Sequence, residues 1–163
     1  MASILKVNTI QDATNSNTAL SIDSSGRVTT STNRPVFMAR RTSNQSAGTV
    51  VFDTVMVNQG SHYDNSNGRF TAPIAGLYSF SCSVLTDNDG GDKYFNTNIA
   101  INGSNYANYQ GRTEDDNDFP GIVNVIASLS ASDYVEVTHP DTAVYGTSSA
   151  TANFTYFCGY LIG

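Results

Sequence analysis

The carboxylates of this sequence gather in two short runs, "DNDGGD" with Asp87, Asp89 and Asp92, and "EDDND" with Glu114, Asp115, Asp116 and Asp118. Crowded carboxylate oxygens are the donor set of hard cations, Ca²⁺ above all, and Asp87, Asp89, Asp92 and Asp116 are the candidate ligands. Neither run carries the full calcium-loop pattern with its terminal Glu, so a solvated acidic loop is the competing reading. No cofactor other than Ca²⁺ is suggested.

Other chemistry is sparse. His62 and His139 are the only histidines and lack metal-ligand spacing, and no Gly-x-Ser-x-Gly elbow accompanies the many serines, so no catalytic residue is expected. Cys82 and Cys158 stand far apart without the paired spacing of a zinc site. With 14 acidic against 8 basic residues, the net charge of −6 opposes phosphate binding and argues against nucleic acid. No stretch approaches the ~20 apolar residues of a membrane span, and the start lacks a basic segment followed by an apolar run, so a soluble chain without an export signal is expected. Arg40 and Arg41 are too few for a basic patch, and one of them is expected to close a local ion pair. Tyr106 and Tyr109 have apolar bodies with polar tips, suited either to carbohydrate or protein contacts or to packing.

The elements that position these residues are strands. No window sustains a helical apolar stripe, and the β-rich composition, punctuated by Gly, Asn, Asp and Ser, predicts an all-β sandwich or jelly roll. Strands are predicted over 35–41, 49–57, 76–85, 93–101, 104–110, 121–129, 134–139 and 152–162, with a tight hairpin at Asn102-Gly103. Successive antiparallel strands put their connections at alternate ends, so loops 86–92, 112–119 and 140–150 should share one end, opposite the start of the first strand. A chain of 163 residues supports a real core. Residues 1–33 differ: "SILKVNTIQ" and "ALSIDSSGRVTT" are short β-like pieces with a hairpin at "SSG", unable to bury a core alone. They read as an arm whose apolar residues Leu5, Val7, Ile10, Leu20 and Ile22 need a partner surface, leaving 34–163 as a head.

The spaced residues Phe52, Asn58, Tyr63, Phe70, Gly76, Tyr78 and Phe80 fall in register with the signature of the complement C1q globular domain, a family that shares its jelly roll with tumour necrosis factor. "SDYVEV", with Asp133, Val135 and Val137, resembles that family's Gly-Asp-x-Val-x-Val strand, and "FCGYLI", with Phe157, Gly159, Tyr160 and Leu161, resembles its closing strand. Two positions depart: Cys82 replaces an aromatic and Ser132 a glycine. The resemblance implies a homotrimer in which Tyr78, Phe80, Cys82 and Val84 face the core while Ser79, Ser81 and Ser83 look toward a threefold axis. It also implies that Cys82 and Cys158 lie on neighbouring strands, both toward the core, and members with calcium at the trimer apex lend support to the acidic loops as ligands.

The segment "LKVNTIQDATNSNTALSIDSSGRV" resembles one found near the start of tail-fibre and other virion proteins of tailed marine bacteriophages. Together the two resemblances imply a non-enzymatic virion protein, assembled in the host cytoplasm, where buried thiols rather than a disulfide are expected. The implied role is a tail-fibre or receptor-binding tip whose arm docks to other virion proteins and whose head meets a host surface protein or glycan. A capsid decoration or knob protein without receptor binding is the alternative, with a glycan depolymerase behind it.

Overall fold

The computed structural model describes residues 7–11, 18–30, 34–88, 90–115, 117–149 and 152–163. The chain divides into two compact units, Met1–Arg34 and Pro35–Gly163.

In the first unit, β1 (Thr9–Gln11), β2 (Thr18–Ile22) and β3 (Val28–Thr30) form an antiparallel sheet in sequence order. The β2–β3 turn is built by Asp23, whose Oδ1 accepts hydrogen bonds from the Ser25 and Arg27 amides at 2.9 and 3.0 Å, while Gly26 supplies the positive φ of 76°. The Arg27 side chain closes the turn onto Asp23 at 2.7 Å. These bonds to Arg27 hold the Asp23 carboxyl below its ordinary range.

The second unit contains β4 (Val36–Arg40), β5 (Gly48–Thr49), β6 (Thr54–Gln59), β7 (Tyr63–Asp64), β8 (Arg69–Thr71), β9 (Gly76–Asp87), β10 (Tyr94–Ile101), β11 (Ser104–Arg112), β12 (Pro120–Leu129), β13 (Tyr134–His139), β14 (Ala143–Val144) and β15 (Tyr156–Leu161). One sheet runs β12-β9-β15-β4-β6, with β14 against β9; the other runs β11-β10-β13-β8-β7, with β5 against β13. They face each other as a jelly-roll sandwich. The Asn102-Gly103 hairpin forms as its sequence demands, with φ of 51° and 78°.

The strand predicted over 49–57 is broken. β5 pairs with β13 in one sheet and β6 with β4 in the other, so the chain changes sheets between them. Val50 and Phe52 lie in this crossing and are wholly buried, which explains why they alternate like strand residues without belonging to one. Arg41 ties the crossing down, donating to the Val51 carbonyl at 2.8 Å and pairing with Asp53 at 3.4 Å. β7, β8 and β14 went unpredicted because two or three residues carry no measurable period.

Phe37 sits at the centre of the core. Its ring stacks on Tyr63 at 4.9 Å and on Phe70 at 5.0 Å, and meets Phe157 edge-on at 4.8 Å. Phe52, Tyr78 and Phe80 complete the cluster, each at most 1% exposed. Gly159 has no side chain because there is no room: a Cβ there would run into the Phe80 ring and lie 2.9 Å from Phe37. Asn58 clamps the Tyr63 backbone from both sides, donating to its carbonyl at 2.8 Å and accepting from its amide at 3.1 Å.

Tyr78, Phe80, Cys82 and Val84 face the core as expected, but Cys158 does not. The register places Phe157 opposite Cys82 and Cys158 opposite Ser81, so strand alternation turns the Cys158 thiol to the outer face. The core position that the resemblance gave to Cys158 is filled by Phe157. Both cysteines are free thiols.

Candidate functional site

The two sheets wear different outer faces. On the β10–β13 side the outward residues are polar and satisfied: Asn98 donates to Thr138 Oγ1 at 3.0 Å, and Arg69 pairs with the buried Glu136 at 2.9 Å while lying 4.1 Å over the Tyr134 ring. The outer face of β12-β9-β15-β4-β6 is built otherwise. One of its rows is Leu77, Ser79, Ser81 and Ser83 on β9. The register sets Ile122 opposite Ser83 and Ile126 opposite Ser79 from β12, and Tyr156, Cys158 and Tyr160 opposite Ser83, Ser81 and Ser79 from β15. β4 adds Val36 and Met38, and β6 adds Val57 opposite Met38.

Much of that face is apolar and open. Ile126 is 61% exposed, Tyr160 53%, Ile122 48%, Leu77 47% and Val57 46%. A contiguous apolar face on a folded domain marks an interaction surface. Its polar centre is internally satisfied, with Ser81 Oγ 2.6 Å from Asn124 Oδ1.

The sequence reading placed only the three serines here and missed the apolar residues around them. The signal lay in "GIVNVIASL": apolar residues on both parities of one strand indicate that both faces are destined for burial.

The acidic loops meet at the end of the sandwich where β9 finishes, as strand parity predicts. The Asn88 amide donates to Asp118 Oδ1 at 2.9 Å, and Asn96 donates twice to Asp141 Oδ2, both at 2.8 Å. β4 begins at the other end, where Val36 pairs with Tyr160 and Tyr160 with Ser79. Of the candidate calcium ligands, Asp89 and Asp116 lie outside the described residues. Asp87 accepts from Asn44 at 2.7 Å, and Asp92 pairs with Arg112 and accepts from the Asp115 amide at 3.2 Å. Each of these two carboxylates thus has its own partner, and among the described residues no three His, Cys, Asp or Glu side chains gather in a metal-binding group.

His139 is fully buried between two hydroxyls, with Nδ1 3.0 Å from Thr97 Oγ1 and Nε2 2.8 Å from Thr142 Oγ1. Burial pushes its pKa down to about 4, so it is neutral and structural near neutrality. Burial likewise raises the Cys82 thiol to about 12 and also raises the Cys158 thiol, which leaves neither as a ready nucleophile. Tyr109 packs on Phe95 at 6.0 Å between centroids, while Tyr106 is half exposed with its hydroxyl 3.4 Å from the Ile126 carbonyl. In the arm, Val7, Ile10, Leu20 and Ile22 line one apolar cleft together with Val28, and Leu5 lies outside the described residues.

This sandwich can be set beside known proteins. The family model of the C1q domain matches residues 36–162, most of the chain. The chain belongs to the C1q domain family. Among its relatives, mouse complement C1q tumor necrosis factor-related protein 3 is 28% identical over 126 residues, covering 77% of this chain and 48% of that protein. Rat complement C1q tumor necrosis factor-related protein 6 is 51% identical over 35 residues, covering 22% of this chain and 13% of that protein. The chain therefore spans about half the length of these relatives or less. In fold it is similar to the globular domain of zebrafish complement 1qA, with TM-score 0.62, 15% identity and coverage of 80% of this chain and 98% of that one. Murine APRIL gives TM-score 0.59 at 12% identity, covering 79% and 99%.

Domains of the C1q and tumour necrosis factor type are binding modules rather than enzymes, and the family forms trimers. The C1q motif residues Phe52, Tyr63, Phe70, Gly76, Tyr78, Phe80 and Gly159 are packing residues: six buried in the core, with Gly76 beside Leu161 and the terminal Gly163. Ser132 stands where the motif has glycine and holds a left-handed backbone at φ 73°, while Asp133 accepts from the Ser130 amide at 2.7 Å and from Asn102 at 2.8 Å.

Proposed function

We propose that residues 35–163 are the subunit of a homotrimeric ligand-binding head, closed by the outer face of the β12-β9-β15-β4-β6 sheet around a threefold axis. The observation that carries this reading is the exposed apolar surface of Ile122, Ile126, Leu77, Val57 and Tyr160 on one sheet, in a family whose members trimerise. Burying such side chains stabilises association by roughly 25 cal/mol per Å² of apolar surface removed from water, before the entropic cost of bringing subunits together. The acidic loops then lie at the end opposite the chain entry and are free to meet a ligand.

The finer reading is a bacteriophage tail-fibre or receptor-binding tip, in which the arm attaches the head to the particle and the head contacts a host surface protein or glycan. It is supported by the resemblance of the arm sequence to virion proteins. Three heads on one axis gain from multivalency. Binding of the labelled trimer to host cells should therefore exceed that of a folded Ile126→Lys/Tyr160→Lys monomer by at least tenfold. Equal binding by both, or by neither, contradicts this role. Peptides of the chain should also be recovered from purified virions; their absence would remove it from the particle.

A further inference from the structure

The arm sheet is built with two unlike faces. Ile10 pairs with Leu20, Ile22 pairs with Val28, and Leu20 and Ile22 are two residues apart, so strand alternation puts all four on one side. Thr9 and Ser21, paired with each other, take the opposite side. The apolar side is uncovered: Val28 is 64% exposed, Ile10 49% and Ile22 41%. With Val7, and with Asn8 and Thr9 at its wall, it lines an apolar cleft of about 160 Å³. On short strands of three, five and three residues this open apolar face is a surface for association, and a cover would take it out of water.

We infer that the cover is the same face of the sister arms, so that the arms form a second self-association contact in series with the head. The inference rests on the trimeric reading of the head. β4, the first head strand, belongs to the sheet whose outer face closes the trimer, and Val36 and Met38 lie on that face. Three chains therefore enter their heads at one end and beside the axis. β3 ends at Thr30 and β4 starts at Val36, and a connection this short reaches only about 20 Å even when fully extended. Tethers of that length hold the three arms at millimolar effective concentration, well above what free partners reach.

Charge does not oppose the contact. Among the described residues of the first unit Asp23 and Arg27 pair at 2.7 Å, and the one further charge, Arg34, lies at the unit's end, away from these strands in sequence. Sister arms are also present as soon as the head assembles, before any carrier is met. What remains for a carrier is the polar side of Thr9 and Ser21 and the strand edges.

The test uses the full chain with Ile22→Cys on the apolar side and Ser21→Cys on the polar side. Each is treated with a short bis-maleimide, resolved on a denaturing gel, and sedimented in parallel, with wild type giving the background from Cys82 and Cys158. Covalent dimers from Ile22→Cys, at several times the yield of Ser21→Cys and wild type, are expected. A trimer in which Ile22→Cys cross-links no more than Ser21→Cys overturns this inference alone and leaves the face to a carrier protein. A chain that sediments as a monomer overturns the head reading and this one together.

Discussion

Gly159→Ala adds one methyl group at the most crowded point of the sandwich. The new carbon would lie 2.7 Å from one atom of the Phe80 ring, closer still to another, and 2.9 Å from Phe37. Both rings are 1% exposed, and Phe37 is held by Tyr63, Phe70 and Phe157, so neither can swing aside. β15 is paired with β9 on one side and β4 on the other, so its backbone cannot withdraw. Overpacking in a closed core costs about 1–3 kcal/mol, and with two rings and both flanking strands fixed we expect the upper part of that range, about 2–3 kcal/mol. The assay is urea unfolding at fixed chain concentration, since coupled dissociation makes apparent stability concentration-dependent. In the double variant Gly159→Ala/Phe80→Leu the clashing ring atoms are gone, so the combined cost should fall short of the sum by about 1 kcal/mol or more. A Gly159→Ala loss below about 0.5 kcal/mol, or strict additivity with Phe80→Leu, would refute the steric argument.

Other consequences can be checked in the same preparations. Ser132→Gly should raise stability by about 0.5–1 kcal/mol, because a residue with a Cβ is held at φ 73°; an unchanged or lower melting temperature counts against strain there. His139 has a folded pKa of about 4 against an ordinary 6.5, so the unfolded chain binds the extra proton between these values. The stability it protects is whole above pH 6.5 and is lost as pH falls toward 4, and His139→Gln should flatten the urea midpoint between pH 6.5 and 5 relative to wild type. Cys158 lies on the outer face that the proposed trimer would cover, so maleimide labelling of the native chain should be slow in wild type and at least tenfold faster at Cys158 in the Ile126→Lys/Tyr160→Lys monomer, with Cys82 unreactive in both. Equal labelling of Cys158 in the two would place it away from the contact.

What could be read from the sequence was what period and spacing encode. Strict alternation in "LYSFSCSV" set Tyr78, Phe80, Cys82 and Val84 on one face, which the C1q resemblance then turned to the core, and Asn102-Gly103 demanded its turn. Alternation misled at Val50 and Phe52, because a chain crossing between two sheets buries alternate residues as a strand does. Cys158 was assigned to the wrong face because facing depends on register with β9, and register is a property of two strands together. The apolar outer surface escaped for a related reason. Ile122, Ile126, Leu77, Val57 and Tyr160 come from four strands, and only the strand order makes them neighbours. The pairing of Arg69 with Glu136 across β8 and β13 was equally invisible, since 67 residues separate the partners.

Sedimentation equilibrium of the unmodified full chain tests the central claim most directly. If the outer face of the β12-β9-β15-β4-β6 sheet closes a C1q-type trimer, the mass at micromolar concentration should be three times the 17.4 kDa of one chain, and should not vary across a tenfold dilution. A mass of 17.4 kDa under those conditions would leave that apolar face without the partner proposed for it and would contradict the account.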